Sequence, residues 1–194
     1  MLMSFFYLAK AFDKVPHQRL LEKLEKHGIG GRLLAVIGNW LQNRSQSVCI
    51  KGIGSSWINV CSGVPQGSVL GPLLFLIYMN DLEDEISSSV LKFADDTKIF
   101  RELKGNKDCS ILQSDLDKLV SWSQRWQMEF NVKKCKVMHV GGQNVKWTYN
   151  MKGSSLSVDE TEKDLGIWIS SDMKCSDQCL YAFNKASKVT NGYD

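Results

Sequence analysis

Apolar residues change their period several times along this 194-residue chain, and each change outlines an element. Residues 5–8 (Phe-Phe-Tyr-Leu) are a compact apolar block near the start, as expected of a short buried strand. Pro16 fits the first turn of a helix that carries Leu20, Leu21 and Leu24 on one face and ends at Gly28. Leu33, Leu34, Ile37, Trp40 and Leu41 keep the spacing of a second amphipathic helix. Residues 46–50 and 57–61 alternate as strands, with Gly52-Ile53-Gly54-Ser55 as the turn between them. After a stretch rich in Gly and Pro at 62–72, the nearly all-apolar residues 73–82 predict a helix buried on most sides.

Further along, residues 90–94 and 97–100 read as two short strands joined by Asp95-Asp96 in a tight hairpin. Leu112, Leu116, Leu119, Val120, Ser123 and Trp126 follow a helical period. Residues 137–140 and 165–169 read as strands, and 177–188 as a last helix. The mixture predicts an α+β fold, a small antiparallel sheet with helices packed on one face. Hydrophobicity drops over residues 141–157, where Gly, Asn and Ser collect, so the expected division is 1–140 as a core and 141–194 as a second segment.

Composition narrows the class. Hydrophobic residues at 43% and charged residues at 23% are those of a soluble globular chain able to form a core. A net charge of +3 lies below the strongly basic range, so nucleic-acid contact would rest on shape and local patches. Six cysteines without scaffold spacing, and an apolar start too short for a signal peptide, predict reduced thiols in an intracellular protein. The longest apolar run, residues 72–79, falls far short of the ~20 residues that span a bilayer, so no membrane partner is expected.

The sharpest candidate for chemistry is Phe93-Ala94-Asp95-Asp96. Adjacent carboxylates repel, and taken alone such a pair reads as a solvated turn. Two-metal phosphoryl transfer, by contrast, needs clustered carboxylate oxygens around ions about 4 Å apart. Upstream, glycines 63, 67 and 71 in Ser62–Pro72 would let backbone approach a bound strand or nucleotide, and the Gln66 amide can bond a base edge or sugar. Lys10-Ala11-Phe12-Asp13-Lys14-Val15-Pro16-His17 directly follows the first strand.

In order and spacing, these three segments resemble motifs of LINE-type (non-LTR) reverse transcriptases, the jockey-like elements in particular. Residues 126–136 resemble the family's fourth motif, and Asp164-Leu165-Gly166-Ile167 its fifth, so the likeness runs over essentially the whole chain. The resemblance implies a polymerase palm with a partial fingers insertion and the start of a thumb. It implies RNA-directed DNA synthesis on an RNA template and DNA primer from dNTPs, with Mg²⁺ or Mn²⁺ as cofactor. Asp95 and Asp96 resemble the catalytic metal ligands. Phe12 resembles the aromatic gate that leaves no room for a 2′-hydroxyl, and Gln66 and Gly67 resemble nucleotide-positioning residues. Lys133, Lys134 or Lys136 matches the general-acid region beside the leaving pyrophosphate.

One departure stands out. The family's first motif carries an Asp five residues before the aromatic gate, and here that place is Tyr7. A phenol is neutral at pH 7 and a poor ligand for a hard cation. Asp13, six residues on, is the one nearby carboxylate and lies past the strand end. The family's fingers segment would precede Met1, so the expectation is a truncated and catalytically inactive polymerase region. The alternatives are a working polymerase, an inactive palm-derived remnant that does or does not still contact nucleic acid, and a zinc module. The last would use Cys135, His139, Cys175 and Cys179, although Cys135 and His139 also suit one face of a strand. Trp122 and Trp126 read as core rather than a stacking platform, and Trp40, Trp57 and Trp168 as parts of packed elements. His17 and His27 read as solvated or capping residues.

Overall fold

The computed structural model describes residues 1–142 and 144–190; positions 143 and 191–194, all in the expected second segment, lie outside the described residues. The chain opens with strand β1 (Leu2–Tyr7) and helices α1 (Ala11–Lys14), α2 (His17–Lys26) and α3 (Gly31–Leu41). Four two-residue strands follow: β2 (Ser45–Gln46), β3 (Cys49–Ile50), β4 (Ile53–Gly54) and β5 (Ile58–Asn59). Next come helix α4 (Leu70–Met79), a 3-10 turn (Asn80–Glu83), the hairpin β6 (Ser89–Phe93) and β7 (Asp96–Arg101), and helix α5 (Asn106–Arg125). The chain continues through β8 (Lys136–His139), β9 (Asn150–Met151), β10 (Ser154–Ser155) and β11 (Ser157–Val158) to the hairpin β12 (Thr161–Asp164) and β13 (Ile167–Ser170). Helix α6 (Ser176–Thr190) comes last.

The main sheet runs β11-β8-β1-β7-β6, so the strand nearest the N-terminus is the central one. All its pairings are antiparallel except β11 with β8. Alternation along β1 sends Leu2 and Phe6 to one face, where they meet Leu74, Phe75 and Tyr78 of α4 and Leu112, Leu116 and Leu119 of α5 in the main core. The opposite face carries Met3, Phe5 and Tyr7, which pack with Met138, Val140 and Ile169 in a smaller cluster. Residues expected to hold a boundary contribute Tyr149, Met151 and Leu156 to the main core. Among the described residues no helix is long and apolar enough to cross a membrane.

Several sequence expectations need correction. The hairpin over 46–61 is two separate ribbons, β2–β5 and β3–β4, and its turn is Lys51-Gly52. Lys51-Gly52, Lys152-Gly153 and Leu165-Gly166 all have positive φ at both residues, the conformation that matches a two-residue turn to strand twist. Leu165 therefore sits in a turn rather than beginning a strand. Helix α4 starts earlier than expected and is not buried all round: Leu73 and Leu76 are exposed on it, and Val69, just before it, is 92% exposed.

Candidate active site

Strand pairing builds the centre of the site. Tyr7 lies directly opposite Asp96 in the β1–β7 register, and Phe93 lies opposite Asp96 in β6–β7. Antiparallel partners have Cα atoms about 4.5–5.5 Å apart and side chains on the same face, so the phenol and the carboxylate are neighbours. The hairpin turn is Ala94-Asp95, one residue earlier than the sequence suggested. Asp96 begins the second strand, and Ala94 takes the left-handed conformation (φ 53°) to close the turn. Burial, then the charges of Asp95 and Asp164, push the Asp96 carboxyl up, opposed by Lys98.

Around Tyr7 the chain has made an internal ionic network. The Tyr7 hydroxyl donates to Glu162 Oε1 at 3.1 Å, and burial together with the Glu162 carboxylate raises the phenol well above its usual range. Lys136 Nζ bridges Glu162 at 2.8 Å and Asp159 at 2.6 Å, while Lys98 pairs with Asp164. These links and Ile169 fasten the β12–β13 hairpin against the sheet face that carries Tyr7. They also separate the three candidate general acids. Lys136 is held between two carboxylates that raise its pKa, whereas Lys133 and Lys134 are exposed.

A two-metal centre requires convergent hard oxygen ligands. Tyr7 places a neutral phenol beside Asp96, where the resemblance implies a third carboxylate, and the nearby Asp164 and Glu162 are already neutralised by Lys98 and Lys136. Among the described residues no group of three or more His, Cys, Asp or Glu is placed to hold a metal ion. The donor set does not fit the pair of ions that the resemblance implied.

The glycine-rich loop docks on the segment after β1. Gly63 N–H donates to the Val15 carbonyl and Val64 N–H to the Phe12 carbonyl, both at 2.8 Å. Ser62 Oγ donates to the Asp13 carbonyl at 2.8 Å, and a His17 ring nitrogen bonds the Gly63 carbonyl at 2.8 Å. A Cβ on Gly63 would lie 2.7 Å from the Asp13 carbonyl oxygen, and one on Gly71 would collide with the Pro65 carbonyl. Gly63 and Gly71 thus serve internal packing; only Gly67, with φ +80° and open space around it, remains free to approach a ligand. Phe12 stacks on Phe75 with centroids 4.3 Å apart, and Gln66 Nε2 donates to Asp13 Oδ1 at 3.1 Å. Phe12, Gln66 and Gly67 therefore share one loop cluster, while Asp95 and Asp96 stand at the hairpin tip beside Tyr7.

Other expectations fare unevenly. Trp122 and Trp126 pack edge-on to Tyr78 in the core, but Trp57 is 71% exposed, because the short ribbons present no packed face to it. His17 is tied to the glycine loop rather than solvated, and His27 bonds the Lys23 carbonyl at the end of α2. Cys135 is buried and donates to the Asn131 carbonyl, His139 is buried beside Asn144, and Cys175 and Cys179 are exposed. Glu162 and Lys98 were missed, and so was the pairing of Asp164, named above only as part of a motif. Their signal was the alternation Thr161-Glu162-Lys163-Asp164, which sends two carboxylates to one face of a strand.

Residues 1–169 match the family model of reverse transcriptase (RNA-dependent DNA polymerase). The RNA-directed DNA polymerase from mobile element jockey of Drosophila melanogaster is 33% identical over 141 residues, covering 68% of this chain and 15% of the relative. Its counterpart in Drosophila funebris is 29% identical over 180 residues, covering 84% and 19%. The chain thus spans less than a fifth of the length of these relatives. In fold it resembles the telomerase of Candida tropicalis solved with a TWJ fragment of telomeric RNA, with a TM-score of 0.61 at 15% identity. That match covers 91% of this chain and 30% of the telomerase. The chain belongs to the reverse transcriptases, among those of non-LTR, jockey-like mobile elements.

Proposed function

We propose that residues 1–140 are the palm of a polymerase, that residues 45–59 are part of a fingers insertion, and that residues 141–194 lead towards a thumb. In this reading Asp95 and Asp96 stand at the family's metal position, Phe12 gates the sugar, and Gln66 and Gly67 position an incoming dNTP over an RNA template and DNA primer. The region does not polymerise by itself. The observation that carries this is Tyr7 paired opposite Asp96 with its hydroxyl committed to Glu162. Loss of a metal-bridging carboxylate removes several kcal/mol of charge stabilisation, and about 4 kcal/mol is roughly a thousandfold in rate. Because the chain spans a small part of its relatives, this reading concerns the region alone. Primer extension with Mg²⁺ or Mn²⁺ should give no template-directed product. Incorporation that disappears in Asp95→Ala would overturn the inactivity.

A further inference from the structure

The main sheet ends in two unlike edges. β11 offers only two residues, but β6 runs for five, an ordinary strand length, and among the described residues its backbone bonds no segment except β7. Such an edge presents unpaired N–H and C=O groups to another chain, and proteins usually blunt it with proline, a bulge or an outward charge. None of these protects β6. Its register against β7 runs unbroken from the Ser89–Phe100 pair to the Phe93–Asp96 pair, and it contains no proline. Its one charge, Lys92, is turned to the helix-packed face, where it pairs with Glu83 at 3.1 Å and donates to the Asn80 carbonyl at 3.1 Å.

The edge is also fixed in place. Asp115 accepts bonds from the Ser87 N–H at 3.0 Å and the Ser88 N–H at 2.9 Å, so the chain enters β6 already ordered and loses little entropy on pairing. On the face shared with Tyr7, Leu91 is 54% exposed and Phe93 61% exposed. An exposed leucine taken alone signifies nothing. What β6 adds is self-complementarity. Laid antiparallel on a copy of itself with Leu91 on the two-fold axis, it sets Leu91 against Leu91, Phe93 against Ser89 and Lys92 against Val90. Phe93, Leu91 and their symmetry mates then make one apolar stripe, and no like charges stand opposite each other along the ladder. Centring the pair on Lys92 would oppose two lysines, and centring it on Val90 would carry Phe93 past the end of the second strand.

We propose that the chain associates as a two-fold dimer through β6, the two strands joined antiparallel about Leu91 so that both main sheets form one continuous sheet. This register lays the Ala94-Asp95 turn of each copy beside Ser87 and Ser88 of the other, so each candidate active site borders its neighbour. A five-residue ladder with four apolar side chains falls at or below the ~1,200 Å² of a standard interface, which makes the dimer reversible, with a Kd on the order of 10 μM.

The test is sedimentation velocity of the whole chain from about 1 to 300 μM, a range that brackets this Kd. The unaltered chain should pass from monomer to dimer across it. Leu91→Lys, which sets two cations on the axis, should weaken association about thirtyfold or more. Leu33→Lys, at a comparably exposed leucine on α3, should leave it unchanged. Phe93→Glu should weaken the dimer, and adding Ser89→Lys to the same chain should return most of the loss, because the register brings position 89 of one copy against position 93 of the other. Melting curves at low concentration establish that each variant is folded. The proposal is overturned if the unaltered chain stays monomeric throughout, or if Leu91→Lys associates as the parent does. It is overturned equally if Leu33→Lys dissociates the dimer as strongly, which would mark unspecific contact between apolar surfaces. Failure of Ser89→Lys to offset Phe93→Glu would overturn the register about Leu91 and the proposal with it.

Discussion

Replacing Tyr7 by Asp tests whether this ring stands where a carboxylate would hold metal. The new carboxylate would face Asp96 across the strand pair, near Glu162 and Asp164. A like charge about 5 Å away costs about 1–3 kcal/mol at the effective dielectric of a partly exposed site. The hydroxyl bond to Glu162 is lost as well, about 1 kcal/mol. Tyr7→Asp should therefore destabilise by roughly 2–4 kcal/mol, a fall in Tm of about 5–15 °C for a domain of this size. Mn²⁺ bound only by the folded variant should return about 1.4 kcal/mol at ten times its Kd, or about 3–6 °C. Tyr7→Phe is the control, losing the Glu162 bond without adding charge. It should melt slightly lower than the parent and show no metal response. The assay is a set of melting curves for the three proteins with and without millimolar Mn²⁺. Equal metal responses in the parent and Tyr7→Asp would place the phenol outside the metal position and refute the alignment of the first motif.

Three further outcomes follow from the packing. Burial lowers the Lys23 pKa to about 8 against the pull of Asp81, so between pH 8 and the ordinary 10.5 the unfolded chain binds more protons and stability rises with pH; in Lys23→Met, compared by denaturant titration across that window, this component of the slope should vanish. Asp115 is fully buried; burial raises its pKa, but bonds from the Ser87 and Ser88 N–H groups, the Ser88 hydroxyl and Lys118 outweigh that and hold it below the usual carboxylate range. Its contribution is present above the unfolded pKa and lost as pH falls through the folded one, and Asp115→Ala should cost about 2–4 kcal/mol by denaturant titration at pH 7. Gly63→Ala, whose Cβ would meet Asp13 and Phe12 backbone within 2.8 Å at φ +90°, should destabilise clearly more than Gly67→Ala, which carries only the left-handed penalty of about 1–2 kcal/mol; equal Tm shifts would contradict the packing role of Gly63.

The sheet and its partners were readable because period and motif agreed. The apolar block at 5–8 marked a strand, which in fact runs from Leu2 to Tyr7 and leaves Leu8 outside it, and the family likeness required it to meet the hairpin at 90–100, as Tyr7 and Asp96 do. Turn positions were harder. Asp95-Asp96 drew attention as the polar pair, yet the chain turns at Ala94, because keeping Asp96 in the ladder opposite Tyr7 outweighs the strain of a left-handed alanine. The apolar density of residues 73–82 suggested burial all round, but hydrophobicity without a moment does not say which face meets a neighbour. The ionic strap was least legible. Tyr7 and Glu162 are far apart in the chain, and no local pattern announces a hydrogen bond between them.

The order of strands in the main sheet bears on how the molecule folds. β1 is flanked on both sides, yet Leu2 finds its partners only at Arg101 and His139. A chain closure on the order of a hundred residues must precede any sheet hydrogen bond along it, and a second must follow to fill its other edge; such closures slow folding through their entropy. Until they occur, both edges of an apolar strand stand open to pair with another chain. Refolding yield should consequently fall with protein concentration more steeply than native stability suggests. Removing the first few residues would delete the middle of the sheet rather than trim its rim, leaving β8 and β7 with no strand between them.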